Sequence, residues 1–318
     1  MMSSISSISI FGFQANWSPY FLLAVVLIST VYFLMVTKWR HAIPDNRPLK
    51  TYEIVLFIIA MISIYLLKGG PIDLLSHIVF SFHMLQMACL YLLIVPLLYF
   101  AVPAYFIDYI ISLPVVRPIF KLISSPIIAL ILFNGLFSIY HLPVVLDFLK
   151  TDAILHGLFT IILSITAFAM WFPVFNRTSL PVNQISGLQK LLFVFMIGVL
   201  LTPSCGLIIF AQHPMYDTYT NPKAWVNAMS LCVPTETLNS ILASSGISGP
   251  EYFTNMSSLE DQQTGGVIMK VLQEIFFAFM LFYIFFSWKQ SEGTDEEATT
   301  QRSLELRRQE QAYFNQFR

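Results

Sequence analysis

Seven stretches of about 20 mostly apolar residues, each nearly free of charge, dominate this sequence. A helix of that length crosses a bilayer and satisfies its own backbone hydrogen bonds; the alternative, a closed barrel, needs a period of two that this chain lacks. The fold is therefore expected to be all-α: a polytopic membrane protein with seven transmembrane helices. The spans are expected near Pro19–Thr37, Thr51–Leu67, Leu74–Phe100, Phe120–His141, Ala153–Pro173, Gly187–Phe210 and Gly266–Ser287. Pro203 removes a backbone donor from the sixth and is expected to kink it. Only 11 % of residues are charged, where a water-soluble domain carries about 25 %. That argues against an ordinary soluble enzyme and a disordered chain. Basic charge is not clustered as nucleic-acid binding requires, so no nucleic-acid partner is expected. Three widely spaced cysteines, Cys89, Cys205 and Cys232, offer neither a disulfide framework nor a C-x-x-C metal motif.

Basic residues set the expected orientation. Thirteen of the 17 lysines and arginines fall on one side: the first loop (Lys38, Arg40, Arg47, Lys50), the third (Arg117, Lys121), the fifth (Arg177, Lys190) and the C-terminal segment. Lys68, Lys150 and Lys223 fall on the other. The positive-inside rule then puts the N-terminus outside and the C-terminus in the cytoplasm. Met1 to Trp17 carries no charge, unlike the basic start of a signal peptide, so the N-terminus is expected to be retained. Two regions follow: a membrane domain over 1–288 and a charged cytoplasmic tail over 289–318. The longest loop, about 211–265, faces outward, with a short helix expected over Pro234–Ala243. No internal repeat is visible, which weakens an inverted-repeat transporter reading.

Five of the six histidines map to the outer half; His41 lies in the basic first loop. Imidazole is a common metal ligand, and thioether sulfur suits Cu(I). His83 and Met87 are four residues apart and face one way on the third span. His141 and His156 flank a short outward loop at one depth of neighbouring helices. These four could together hold Cu(I). The bland alternative is interhelical hydrogen bonding by the histidines and packing by the methionines; it is preferred for His77 and His213. Gln86 and Asn134 are expected to bond between helices.

Acidic residues open the last span at Glu260 and Asp261, where a helix N-terminus favours them. Gly265 and Gly266 follow and allow close helix approach. Asp261 could ligate a metal, support a histidine or merely cap the helix. Lys270 and Glu274, four apart, can neutralise each other.

Phe11-Gly12-Phe13-Gln14-Ala15-Asn16-Trp17-Ser18-Pro19-Tyr20 resembles the start of the CtaG family of Gram-positive bacteria. So do His83-Met84-Leu85-Gln86, Tyr140-His141-Leu142-Pro143, His156, Leu201-Thr202-Pro203 and the run from Asp261 to Met269. The similarity runs from Phe11 to Trp288. It implies a non-enzymatic assembly factor for a caa-type cytochrome c oxidase in the cell membrane. It further implies oxidase subunits as partners and copper, as Cu(I), delivered to the oxidase's outward-facing centre. The metal-binding candidates are then His83, Met87, His141 and His156, with Asp261. Some family members carry a second histidine where this chain has Met87. The competing readings are a metal-free scaffold for oxidase subunits, a transporter, or a haem or quinone oxidoreductase. Neither H-E-x-x-H nor G-x-S-x-G occurs.

Overall fold

The computed structural model describes residues 8–245 and 249–315. Part of the uncharged N-terminal stretch, and Arg318 in the tail, lie outside the described residues. No strand occurs among the described residues. The helices are α1 (Pro19–Val36), α2 (Thr51–Lys68), α3 (Pro71–Ile78), α4 (Phe80–Ala101), α5 (Ala104–Ser112), α6 (Val116–Ile123), α7 (Pro126–Tyr140), α8 (Pro143–Leu149), α9 (Ala153–Phe175), α10 (Gly187–Ile209), α11 (Pro222–Met229), α12 (Thr235–Ser245) and α13 (Ser258–Asn315). Six spans are long and apolar enough to cross a membrane, and a seventh forms if the bent pair α6–α7 counts as one. The chain is a multi-pass membrane protein.

Local chemistry sets most helix starts. Ser18 caps α1 ahead of Pro19, accepting from Phe21 N at 3.3 Å. Asp152 caps α9 through Ile154 N and Leu155 N, at 2.7 and 3.0 Å. Ser186 and Gln189 form a reciprocal capping box on α10. The short helix expected in the long loop is α12, one residue later at its start and two longer at its end.

Two expected spans are broken. The sequence suggests one helix from Leu74 to Phe100, but Val79 is extended (φ −131°, ψ 129°), so α3 is separate and α4 begins at Phe80. The expected fourth span bends by 79° between α6 and α7. Pro126 is the cause: it pushes Ser125 out of the helical region (ψ 130°) and offers no donor. By contrast, α10 continues through Pro203 to Ile209.

α4 is the central helix. It contains a π-helical turn over Cys89–Ile94, followed at once by Pro96. A π-turn pairs residues five apart, and Pro96 has no N–H for the Tyr91 carbonyl. Trp171 on α9 supplies one instead, with Nε1 donating to Tyr91 O at 2.9 Å. Around this point Phe133, Phe137, Trp171, Phe172 and Ile197 are fully buried and form the core. α1 lies at the bundle edge, with Leu23, Leu27 and Ile28 exposed in the direction a lipid tail would occupy.

Candidate functional site

The site is built on the first turns of α4. Because the chain breaks at Val79, Phe80 and Ser81 begin a helix with backbone donors that no preceding turn can satisfy. Asp261 in the first turn of α13 accepts both, from Phe80 N at 2.7 Å and Ser81 N at 3.1 Å. Buried carboxylates need such partners, and buried amides need such acceptors. The neighbouring residues continue the seam. Gln262 accepts from Met215 N at 2.7 Å, and Gln263 donates to Ala211 O at 3.0 Å. Gly265 lets α13 touch α4: an added Cβ would lie 2.8 Å from Phe80 Cδ1 and 3.1 Å from Met84 Cγ. Gly266 does the same against Ile209 on α10, at 2.7 Å. The motif Asp261–Gly266 thus joins three helices at one end of the bundle.

One turn below that cap sits His83, only 1 % exposed. Its ring centroid is 5.8 Å from that of His141, at the C-terminal end of α7. His141 Nδ1 lies 2.8 Å from Phe137 O. A carbonyl can only accept, so Nδ1 carries the proton and Nε2 presents a lone pair. Both His83 Nε2 and His141 Nε2 are buried, and among the described residues neither has a hydrogen-bond partner. Two orphaned imidazole nitrogens on neighbouring rings carry a desolvation cost that a hydrogen bond would normally offset. Imidazoles sharing one metal through bonds of about 2 Å have centroids roughly 5–6 Å apart, so the pair fits a metal ion. The Nδ1–H bond of His141 to a carbonyl is the outer support typical of a metal-ligating histidine.

The remaining expected residues are placed as follows. Met87 is buried one turn along α4 from His83. His156, on the first turns of α9, reaches the pair through Tyr140, whose hydroxyl lies 3.4 Å from His156 Nδ1 and whose ring is 5.7 Å from that of His83. Tyr140 belongs to the Tyr140–Pro143 motif, but its type and spacing assign it no role; the contacts do. Among the described residues Asp261 makes no hydrogen bond to a histidine ring; its two oxygens accept from the α4 amides, so it positions the helix that carries His83. His41 and His213 are exposed and apart from the site. His77 is buried on α3, its ring 5.6 Å from His156.

Polar partners surround this end. Gln86 Nε2 bonds Leu67 O at 2.5 Å and Asp73 Oδ1 at 2.8 Å, the interhelical role expected of it. Asn134 donates both to Leu130 O of its own helix at 2.7 Å and, between helices, to Met170 Sδ on α9 at 4.0 Å. Lys150, just after α8, is 1 % exposed and donates to Ser76 O at 3.1 Å and Tyr219 Oη at 2.7 Å. Burial pushes its ammonium down to about 7. Lys270 pairs with Glu274 at 2.6 Å, as their spacing suggests. A cavity of about 530 Å³ among Tyr52, Arg177, Lys190 and Trp288 lies at the other end of the bundle, away from the histidines.

No curated protein and no solved structure matches this chain. A family model does, over residues 30–291, and it describes a cytochrome c oxidase caa3 assembly factor. The matched region holds His83, His141, His156 and the Asp261–Gly266 seam. The chain belongs to the caa3-type CtaG family of cytochrome c oxidase assembly factors.

Proposed function

We propose that this protein handles copper for assembly of a haem-copper oxidase, binding Cu(I) as cargo between His83 and His141 in the outward half of the membrane. The single observation that carries this reading is a pair of neighbouring buried histidine rings, centroids 5.8 Å apart, whose Nε2 atoms have no partners among the described residues. Met87, one turn along α4 from His83, and His156, which reaches His83 through Tyr140, are the candidates to extend the ligand set on movement. Asp261 holds the helix that presents His83 and Met87. The protein performs no bond-making step of its own. Its partners are oxidase subunits, reached from the outward side to which the distribution of basic residues assigns the histidines.

Copper measured by mass spectrometry on detergent-purified protein, kept reduced, tests the reading. The wild type is expected to bind copper, and a folded His83→Ala, His141→Ala, His156→Ala variant to bind one copper fewer per protein. In cells, His83→Ala should lower oxidase activity while the level of this protein stays unchanged. A folded wild-type protein that binds no Cu(I) would overturn the proposal and favour a metal-free scaffold.

A further inference from the structure

We propose that Asp73, His77 and Cys232 form a second cation site, specific for a monovalent thiophilic ion such as Cu(I), at the mouth of the histidine cluster. Asp73 and His77 are four apart on α3 and share a face. Cys232 comes from the turn after α11, where its N–H bonds Met229 O at 3.0 Å. Its Sγ lies 3.4 Å from His77 Nδ1 and 3.9 Å from Asp73 Oδ2, and the three donor atoms lie within 4.8 Å of one another. Donors around one ion with bonds of about 2.0–2.3 Å sit roughly 3–4 Å apart, so little movement is needed to enclose a cation.

The carboxylate is divided in a way that suits this use. Lys68 Nζ and Gln86 Nε2 both take Asp73 Oδ1, at 2.7 and 2.8 Å, which leaves Oδ2 directed at Cys232. His77 Nδ1 also lies 2.9 Å from Asp73 O and 3.4 Å from Ser76 Oγ. Metal binding moves the ring proton to Nε2 and exchanges the carbonyl contact for a bond to the ion. The thiol proton leaves to solvent.

Charge selects the ion. The Asp73 carboxylate and a Cys232 thiolate supply two negative charges, and Lys68 supplies one positive. One monovalent cation completes neutrality. A divalent ion would leave excess positive charge beside buried Lys150. Thiolate and imidazole are also the ligands that favour Cu(I).

Position gives the site a role. Asp73 and Cys232 keep partial exposure, whereas His77 has almost none. From His77 the rings run inward: His156 at 5.6 Å, Tyr140 at 6.3 Å from His156, then His83 at 5.7 Å from Tyr140. An ion captured at the thiol therefore has imidazoles spaced along the way to the inner pair. This receiving role rests on the function proposed above; the existence of the site does not.

The test is alkylation of the reduced, full-length protein in detergent by N-ethylmaleimide, read at each cysteine by peptide mass spectrometry. One equivalent of Cu(I) should slow modification of Cys232 by about tenfold or more, with Cys89 and Cys205 unaffected. His77→Gln should abolish that protection. His83→Ala with His141→Ala should leave it intact, which separates this site from the inner one. Bound copper counted in Cys232→Ser, a near-isosteric change, should fall by one per protein. Equal copper in Cys232→Ser and wild type would overturn the site, whatever the speed of alkylation. Protection by Zn(II) but not Cu(I) would overturn its assignment to a monovalent ion.

Discussion

The two ends of this bundle use polar residues in opposite ways. At the end where α2 finishes and α4 begins, Asp261, His77, His83, His141 and Lys150 are all buried, and two imidazole nitrogens go unpaired. At the other end most charged groups have partners, even the fully buried Glu53, although Arg40 Nε and Asp108 Oδ1 are buried without one among the described residues. Arg47 embraces Glu53 with contacts of 2.9 and 2.5 Å, Arg177 donates to Tyr99 O and Tyr52 Oη, and Ser179 donates to Asp108. Stability alone is served by the second arrangement. Two neighbouring imidazole rings that each leave a buried nitrogen open carry a cost, which is intelligible if something else binds there.

Asp261→Ala should break the contrast most severely. It strands two buried N–H groups, for a loss of about 2–4 kcal/mol. Ser18→Ala removes a local cap of α1 and should lose only about 0.5–1 kcal/mol. Denaturation midpoints in detergent would compare them, and equal losses would show that the distant cap has no special weight. Next comes Lys150. Its ammonium is held down to about 7 from an ordinary 10.5, chiefly by burial, with Lys68, Asp73, Asp147, Cys232 and Tyr219 around it. Above that lowered value the folded protein has shed a proton that the unfolded chain still binds. Stability should therefore rise between pH 7 and 9, by up to about 2 kcal/mol. Lys150→Met should flatten the rise; an unchanged slope would place its origin elsewhere. A more modest effect than that of Asp261→Ala is expected at the matched end. Arg47→Ala leaves Glu53 buried beside only the Lys50 N–H, but Arg47 is 34 % exposed, so the loss is about 1–2 kcal/mol. A cost above that of Asp261→Ala would invert the comparison.

Hydropathy made the spans legible, and the short motifs pointed to His83, His141 and His156 before any contact was known. What stayed hidden depends on partners far along the chain. Leu74 to Phe100 reads as one helix because the reason for its break, a carboxylate on α13, lies 181 residues from Phe80. The bend before α7 was legible in principle, since Ser125-Pro126 disfavours helix at the serine. Asp261 stands out in the sequence, yet composition does not separate a ligand from a cap, and the structure shows the cap. Cys232 carried no signal: its neighbours at the proposed outer site, Asp73 and His77, are 159 and 155 residues away.

The long-range cap also orders events during biogenesis. While the ribosome is still making the outward loop, α4 has no acceptor for its first two amides, and His83 has no fixed place. Only when the last span enters the bilayer does Asp261 arrive and close the end of the bundle. The inner histidine pair is therefore a late product of membrane insertion. A chain stalled or cleaved before α13 would hold every histidine and still lack the Asp261 cap that holds the start of α4 in place.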